Sequence, residues 1–125
     1  LFRSDVLALR MDAELDFAAA SSFEKYITEK LRERPHLQHV CLFAQPINRI
    51  DATGVETLQQ LRKQLVQRHI QLHISGIKLP VEKALRLAGE LNGKDGVQLY
   101  RTDVEAINAL RALQALPDDI AGMAI

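Results

Sequence analysis

The spacing of apolar residues changes repeatedly along this chain, and each change predicts a new element. Residues 5–11 (DVLALRM) alternate in part and predict a strand. Residues 14–17 (ELDF) extend that strand or follow it after a turn. Phe23, Tyr26, Ile27 and Leu31 then fall at helical spacing, and Ser21 with Glu24 fits a capping box. Pro35 lacks an amide donor and restricts the residue before it, which places this helix over 19–33. Residues 37–44 (LQHVCLFA) form a short apolar run, expected as a buried central strand.

After a loop beginning Gln45-Pro46-Ile47-Asn48, the residues Val55, Leu58, Leu61 and Leu65 mark a helix over 53–68. Gln59, Arg62, Lys63 and Gln67 make its other face polar, so it is half solvated. Residues 70–75 (IQLHIS) alternate strictly, with Ile70, Leu72 and Ile74 on one face, and Gly76 breaks the strand. Pro80 suits the first turn of a third helix with Val81, Ala84, Leu85 and Ala88 inward, closed by Gly89. A Gly- and Asn-rich loop (91–96) precedes a short strand, VQLY at 97–100. Thr102, with Glu105 at the capping-box position, starts a last helix with Val104, Ile107 and Leu110 inward. Pro117 ends the regular pattern, leaving residues 1–116 as the domain and 117–125 as a weakly held tail. Strands alternating with helices imply an α/β domain with about four helices around a mixed central sheet whose core strands are largely parallel.

Composition narrows the picture. The chain has 125 residues, the size of one domain. It has no Trp and few aromatics, so its core rests on Leu, Ile, Val and Ala. Sixteen basic and sixteen acidic residues give a formal net charge of zero, which argues against a nucleic-acid partner. No window approaches the ~20 apolar residues of a membrane span, and no signal peptide is visible, so the fragment is expected to be soluble.

A single cysteine, Cys41, sits in the apolar run and is expected to be buried and inert, with no catalytic pairing to His39. Of the four histidines (His36, His39, His69 and His73), His69 and His73 are four apart. The pattern changes from helix to strand between them, so they share no helix face. No set with zinc-ligand spacing, glycine-rich phosphate loop, placed carboxylate pair or nucleophile elbow is present. The chain is therefore expected to be neither an enzyme nor a holder of metal or cofactor.

The stretch NRIDATGVETL (48–58) remains. Thr53-Gly54-Val55-Glu56 fits a capping box, with Thr53 accepting an amide and Glu56 reaching back. Asp51 adds a favourable negative charge at the helix start. A second reading makes Thr53 a modifiable hydroxyl at an anion-binding helix terminus, with Asp51 and Glu56 opposing a phosphate there. The preceding loop, 45–52, joins a buried strand to a helix. Ile47, Asn48, Arg49 and Ile50 are its candidate partner-docking residues, the alternative being that both isoleucines pack inward.

The residues Asp51-Ala52-Thr53-Gly54, lying between a hydrophobic strand and an amphipathic helix, resemble the motif of the STAS domain, a family named for sulfate transporters and anti-sigma factor antagonists. ELDFAAA (14–20) and GIKLPV (76–81) are further echoes, and the resemblance covers roughly residues 5–114. It implies one of two settings. One is the cytoplasmic C-terminal domain of a SulP-type anion permease, sulfate being one candidate anion. There it would regulate or assemble the transporter at the cytoplasmic face of the inner plasma membrane. The other is a free-standing anti-sigma factor antagonist phosphorylated on the hydroxyl before the motif glycine, here Thr53.

NRIDATGVETLQQL with IKLPV is more similar to the bacterial permease form, and a start at Leu1 rather than Met fits a domain cut from a longer protein. The partners this implies are the permease's transmembrane domain in the same chain, a regulatory protein, and a second copy in a homodimer formed through the parent transporter. ELDFAAA departs from the permease form, with Ala19 where an Asn is frequent. Many relatives carry an Asp near the end of the central strand, close to the hydroxyl. Phe43 stands there, which counts against a phosphorylation switch.

Overall fold

The computed structural model describes residues 5–10, 17–113 and 122–124. Among the described residues nine elements follow in order: β1 (Val6–Arg10), α1 (Phe17–Glu33), β2 (His39–Phe43), α2 (Ala52–Gln67), β3 (Gln71–Ser75), α3 (Leu79–Leu87), β4 (Val97–Tyr100), α4 (Asp103–Ala112) and β5 (Gly122–Ala124). The strands form one sheet in the order β4-β3-β2-β1-β5, and each pairing is parallel. The expected mixed sheet is thus parallel among the described residues. Of residues 14–17, expected to extend β1 or to follow it after a turn, Phe17 is helical and 14–16 lie outside the described residues.

Parallel neighbours need crossover connections, and these are right-handed as a rule. The chain steps one way across the sheet from β1 to β4, so α1, α2 and α3 fall on one face. It then returns to β5 beside β1, and the same rule sends α4 to the opposite face. The core divides accordingly. On the first face Leu7, Leu9, Val40, Leu42, Leu72 and Ile74 pack against Phe23, Ile27, Leu61, Leu65, Val81 and Leu85. On the second, Val6, Ala8, Cys41 and Phe43 pack against Ala106 and Leu110. Covered on both faces, β1 and β2 read as continuous apolar runs.

Helix ends follow local chemistry. The α2 C-terminus closes with His69 at φ 59°, His69 N–H donating to Val66 O and Ile70 N–H to Leu65 O. This is the Schellman arrangement, with Leu65 and Ile70 both buried beneath it. Gly89 plays the same part after α3, at φ 84°. His69 thus lies in a turn and His73 in a strand, so the two do not share a helix face.

Several boundaries and faces depart from expectation. Helix α1 begins at Phe17, so Ser21 is an exposed residue inside the helix and caps nothing. Ala88 is exposed and Ala84 half-buried, leaving Val81 and Leu85 to seat α3. In α4, Val104 is 65% exposed, while Ala106 and Leu110 are buried and Ile107 packs at their margin. Of the expected tail, 117–125, Gly122–Ala124 form β5 against Ala8–Arg10 of β1, and residues 117–121 and 125 lie outside the described residues. No helix among the described residues is long and apolar enough to cross a membrane.

Candidate functional site

The Asp-x-Thr-Gly stretch sits where β2 hands the chain to α2. After Phe43 the chain turns at once: Ile47 N–H donates to Ala44 O at 2.9 Å, and the Ile47 side chain is 1% exposed. Ile47 therefore belongs to the core and cannot be a docking residue. Ile50 is half-buried against the same cluster. Asn48 and Arg49 remain exposed, and Lys78 Nζ donates to Asn48 Oδ1, tying this loop to the start of α3.

Asp51, rather than Thr53, is the N-cap of α2. Its backbone is extended (φ −99°, ψ −178°), and its Oδ1 accepts the Gly54 amide at 2.8 Å. Its carbonyl accepts from Val55 N–H at 2.9 Å, the first helical bond. Thr53 is then the second residue inside the helix, and Glu56 lies beyond the first turn, so the expected Thr53–Glu56 capping box does not form. Thr57 lies one turn after Thr53, and its Oγ1 donates to the Thr53 carbonyl at 2.9 Å, which anchors this nearly buried hydroxyl on the helix.

The Thr53 side chain is half-buried at the edge of an open groove shared by Glu24, Glu56, Thr57, Gln60 and Lys63. Of the charged residues lining this groove, Glu24 and Glu56 are acidic, and the basic Lys63 stands ten residues along α2 from Thr53, so the charge near Thr53 is unfavourable to a dianion. Asp51 already occupies the Gly54 amide, which an anion at this terminus would otherwise use. Phe43, at the end of β2, is 7% exposed among Val6, Ala8 and Cys41, an apolar setting.

A second polar assembly lies beneath α4, and sequence reasoning missed it. His39 Nδ1 is 3.0 Å from His73 Nε2, and His73 Nδ1 is 2.9 Å from Tyr100 Oη. Ser75 Oγ donates to Asp103 Oδ1 at 2.6 Å. The alternation of IQLHIS did place His73 and Ser75 on the face opposite Leu72. What it lacked was the helix that covers that face. Burial pushes the Cys41 thiol up to about 12, with the Asp103 carboxylate adding to the shift, so it is no nucleophile. Among the described residues no three His, Cys, Asp or Glu side chains cluster as metal ligands do.

The fold is that of a small parallel α/β domain with its motif at a strand-to-helix junction. A family model, that of the STAS domain, matches residues 2–106, and the chain belongs to this family. Among solved structures it is similar to the STAS domain of a SulP transporter from Vibrio cholerae. That match has 26% identity over 89% of this chain and 85% of that one, with a TM-score of 0.67. It is also similar to a sulfate transporter family protein from Wolinella succinogenes, with 20% identity over 88% of each chain and a TM-score of 0.73. A third likeness is to the anti-sigma factor antagonist SpoIIAA in its unphosphorylated form, with 15% identity over 89% of this chain and 98% of that one and a TM-score of 0.67. The last two likenesses are of fold. The family expected from Asp51-Ala52-Thr53-Gly54 is thus the family found, and both of its branches share the architecture.

Proposed function

We propose that this chain is the cytoplasmic STAS domain of a SulP-type anion transporter, and that it regulates or assembles that transporter through protein contacts rather than catalysis. The observation that carries this reading is the 26% identity to a SulP transporter STAS domain across 89% of the chain. The exposed Asn48 and Arg49, with the first turn of α2, are the proposed docking surface, since loops held on a rigid scaffold carry contacts. A domain of this kind biases transport only by binding one transport state better than another. A tenfold bias corresponds to about 1.4 kcal/mol, within reach of one loop contact.

The test is removal of this domain from the intact transporter, with surface abundance and anion uptake measured together. Altered uptake per molecule supports regulation, and reduced abundance alone supports assembly. No change in either defeats the proposal. Arg49→Glu in the intact protein locates the surface: unchanged uptake and abundance would move it away from this loop.

The second reading is an anti-sigma factor antagonist switched by phosphorylation at Thr53. It draws on the half-exposed Thr53 in the first turn of α2 and on the likeness to SpoIIAA. The apolar Phe43 and the carboxylates around Thr53 weigh against it. Intact-mass analysis of the protein from its own cells separates the two, since stoichiometric phosphate on Thr53 belongs to the second alone.

A further inference from the structure

Beneath α4, three adjacent strands each contribute one ring to a hydrogen-bonded row: His39 from β2, His73 from β3 and Tyr100 from β4. His73 is 1% exposed, and its neighbours are half-buried. The His73 and Tyr100 rings stack with an interplanar angle of 17°. Cys41 stands opposite His73 in the ladder, and Ser75 stands opposite Tyr100.

Each contact in the row needs one proton between its two heteroatoms. Two neutral arrangements meet that need. Either Tyr100 donates to His73 Nδ1 and His73 Nε2–H donates to His39, or His39 Nδ1–H donates to His73 and His73 Nδ1–H donates to Tyr100. One added proton is also accommodated, because a charged ring can donate to an accepting neighbour. Two are not. With both rings charged, N–H faces N–H across 3.0 Å, and two like charges sit side by side.

The surroundings offer little relief. Asp5, before β1, favours charge on His39, but burial outweighs it and holds that imidazole below its ordinary value. Burial, then the neighbouring His39, holds His73 at about 4. From β2, Cys41 is a neutral thiol. From β4, Tyr100 is a neutral phenol. From α4, Asp103 is engaged by Ser75, and Ala106, Ile107 and Leu110 are apolar.

The mechanical consequence falls on β4. It lies at the end of the sheet order, paired to β3, and neither Gln98 nor Leu99 is buried. Few buried contacts hold it, so its opening free energy is low compared with that of β1 or β2. We propose that the His39–His73–Tyr100 row is a proton-released latch. With the two imidazoles neutral it ties β4, and the α4 start that follows, to the middle of the sheet. Charging both rings frees that edge while β1, β2 and the helices on the other face stay folded. The device goes beyond the transporter reading and does not depend on it.

Native-state hydrogen exchange of the 125-residue chain, corrected for intrinsic rates, tests the latch at pH 7.5 and 5.0. Amides 97–107 are expected to exchange through an opening smaller than global unfolding, less protected than Leu7 and Leu42 at both pH values, and to lose at least about tenfold in protection from pH 7.5 to 5.0; His39→Gln, which leaves His73 buried, should shrink that loss. Amides 97–107 protected as strongly as Leu7 and Leu42, no loss on acidification, or an undiminished loss in His39→Gln overturns the proposal. Imidazole nitrogen shifts of the wild type provide an independent readout. In the folded wild type His73 should stay largely neutral at pH 5.0, the proton entering on opening, and a charged His73 with β4 protection intact overturns the latch.

Discussion

Asp51 and Gly54 are joined across the first turn of α2, the Asp51 carboxylate accepting the Gly54 amide at 2.8 Å. This bond places the cap two residues before the threonine. Asp51→Ala is expected to destabilise the fold by about 1 kcal/mol, and Asp51→Asn, which keeps an acceptor, by much less. Thr53→Ala should cost only a few tenths, about the range of a surface change. Urea melts of the three variants give the ranking. A Thr53→Ala cost equal to that of Asp51→Ala would restore Thr53 as the cap.

Arg62 reaches from α2 to Glu90, the residue that follows the α3 turn. Nε lies 2.5 Å from Oε1 and Nη2 lies 3.1 Å from Oε2. The Glu90 side chain is nearly buried at this crossing. Arg62→Met would leave a carboxylate there without its fork of donors, at an expected cost of about 3 kcal/mol. Pairing it with Glu90→Gln should recover a substantial part. A double-mutant cycle measures this, and additive effects of the two changes would contradict the coupling.

Cys41 is fully buried, and its thiol is pushed up from 9.0 to about 12. Thiolate is then scarcer than for an ordinary cysteine by about a thousandfold. Native protein is expected to react with a thiol-specific dye at pH 8 only as fast as it opens, with denaturant releasing one equivalent at once. Prompt labelling of the native state would place Cys41 nearer solvent than this packing allows.

Stability should fall on mild acidification. His73 has an ordinary value of 6.5 unfolded and about 4 folded, so the unfolded chain binds the proton first. The stabilisation of neutral His73 is therefore complete above about pH 6.5 and is lost progressively as pH drops toward 4. His39 shifts in the same direction. The loss from His73 is on the order of 3 kcal/mol at its limit. Melts between pH 7 and 5 precede most carboxylate titration, and His73→Phe should flatten that segment of the curve. A wild-type curve already flat from 7 to 5 would contradict the burial of neutral His73.

Local sequence determined the kind and order of most elements, because side-chain period and backbone geometry are coupled within a few residues. The 3.6 spacing of Val55, Leu58, Leu61 and Leu65, the alternation of IQLHIS and the Thr102–Glu105 cap are all found in the fold. The motif Asp51-Ala52-Thr53-Gly54 was likewise enough to point to the family. Tertiary structure decided what depends on partners far along the chain. Asp51 and Thr53 are both able caps, and the path of a loop anchored by buried Ile47 accompanies the earlier start of α2. Helix α4 has apolar residues on more than one side, and the sheet face it meets selected Ala106 and Leu110 over Val104. His39 and His73 are 34 residues apart, and their rings meet only through the parallel register of β2 with β3. Periodicity tells which residues share a face; only the assembled sheet and the helix returning over it determine what that face touches.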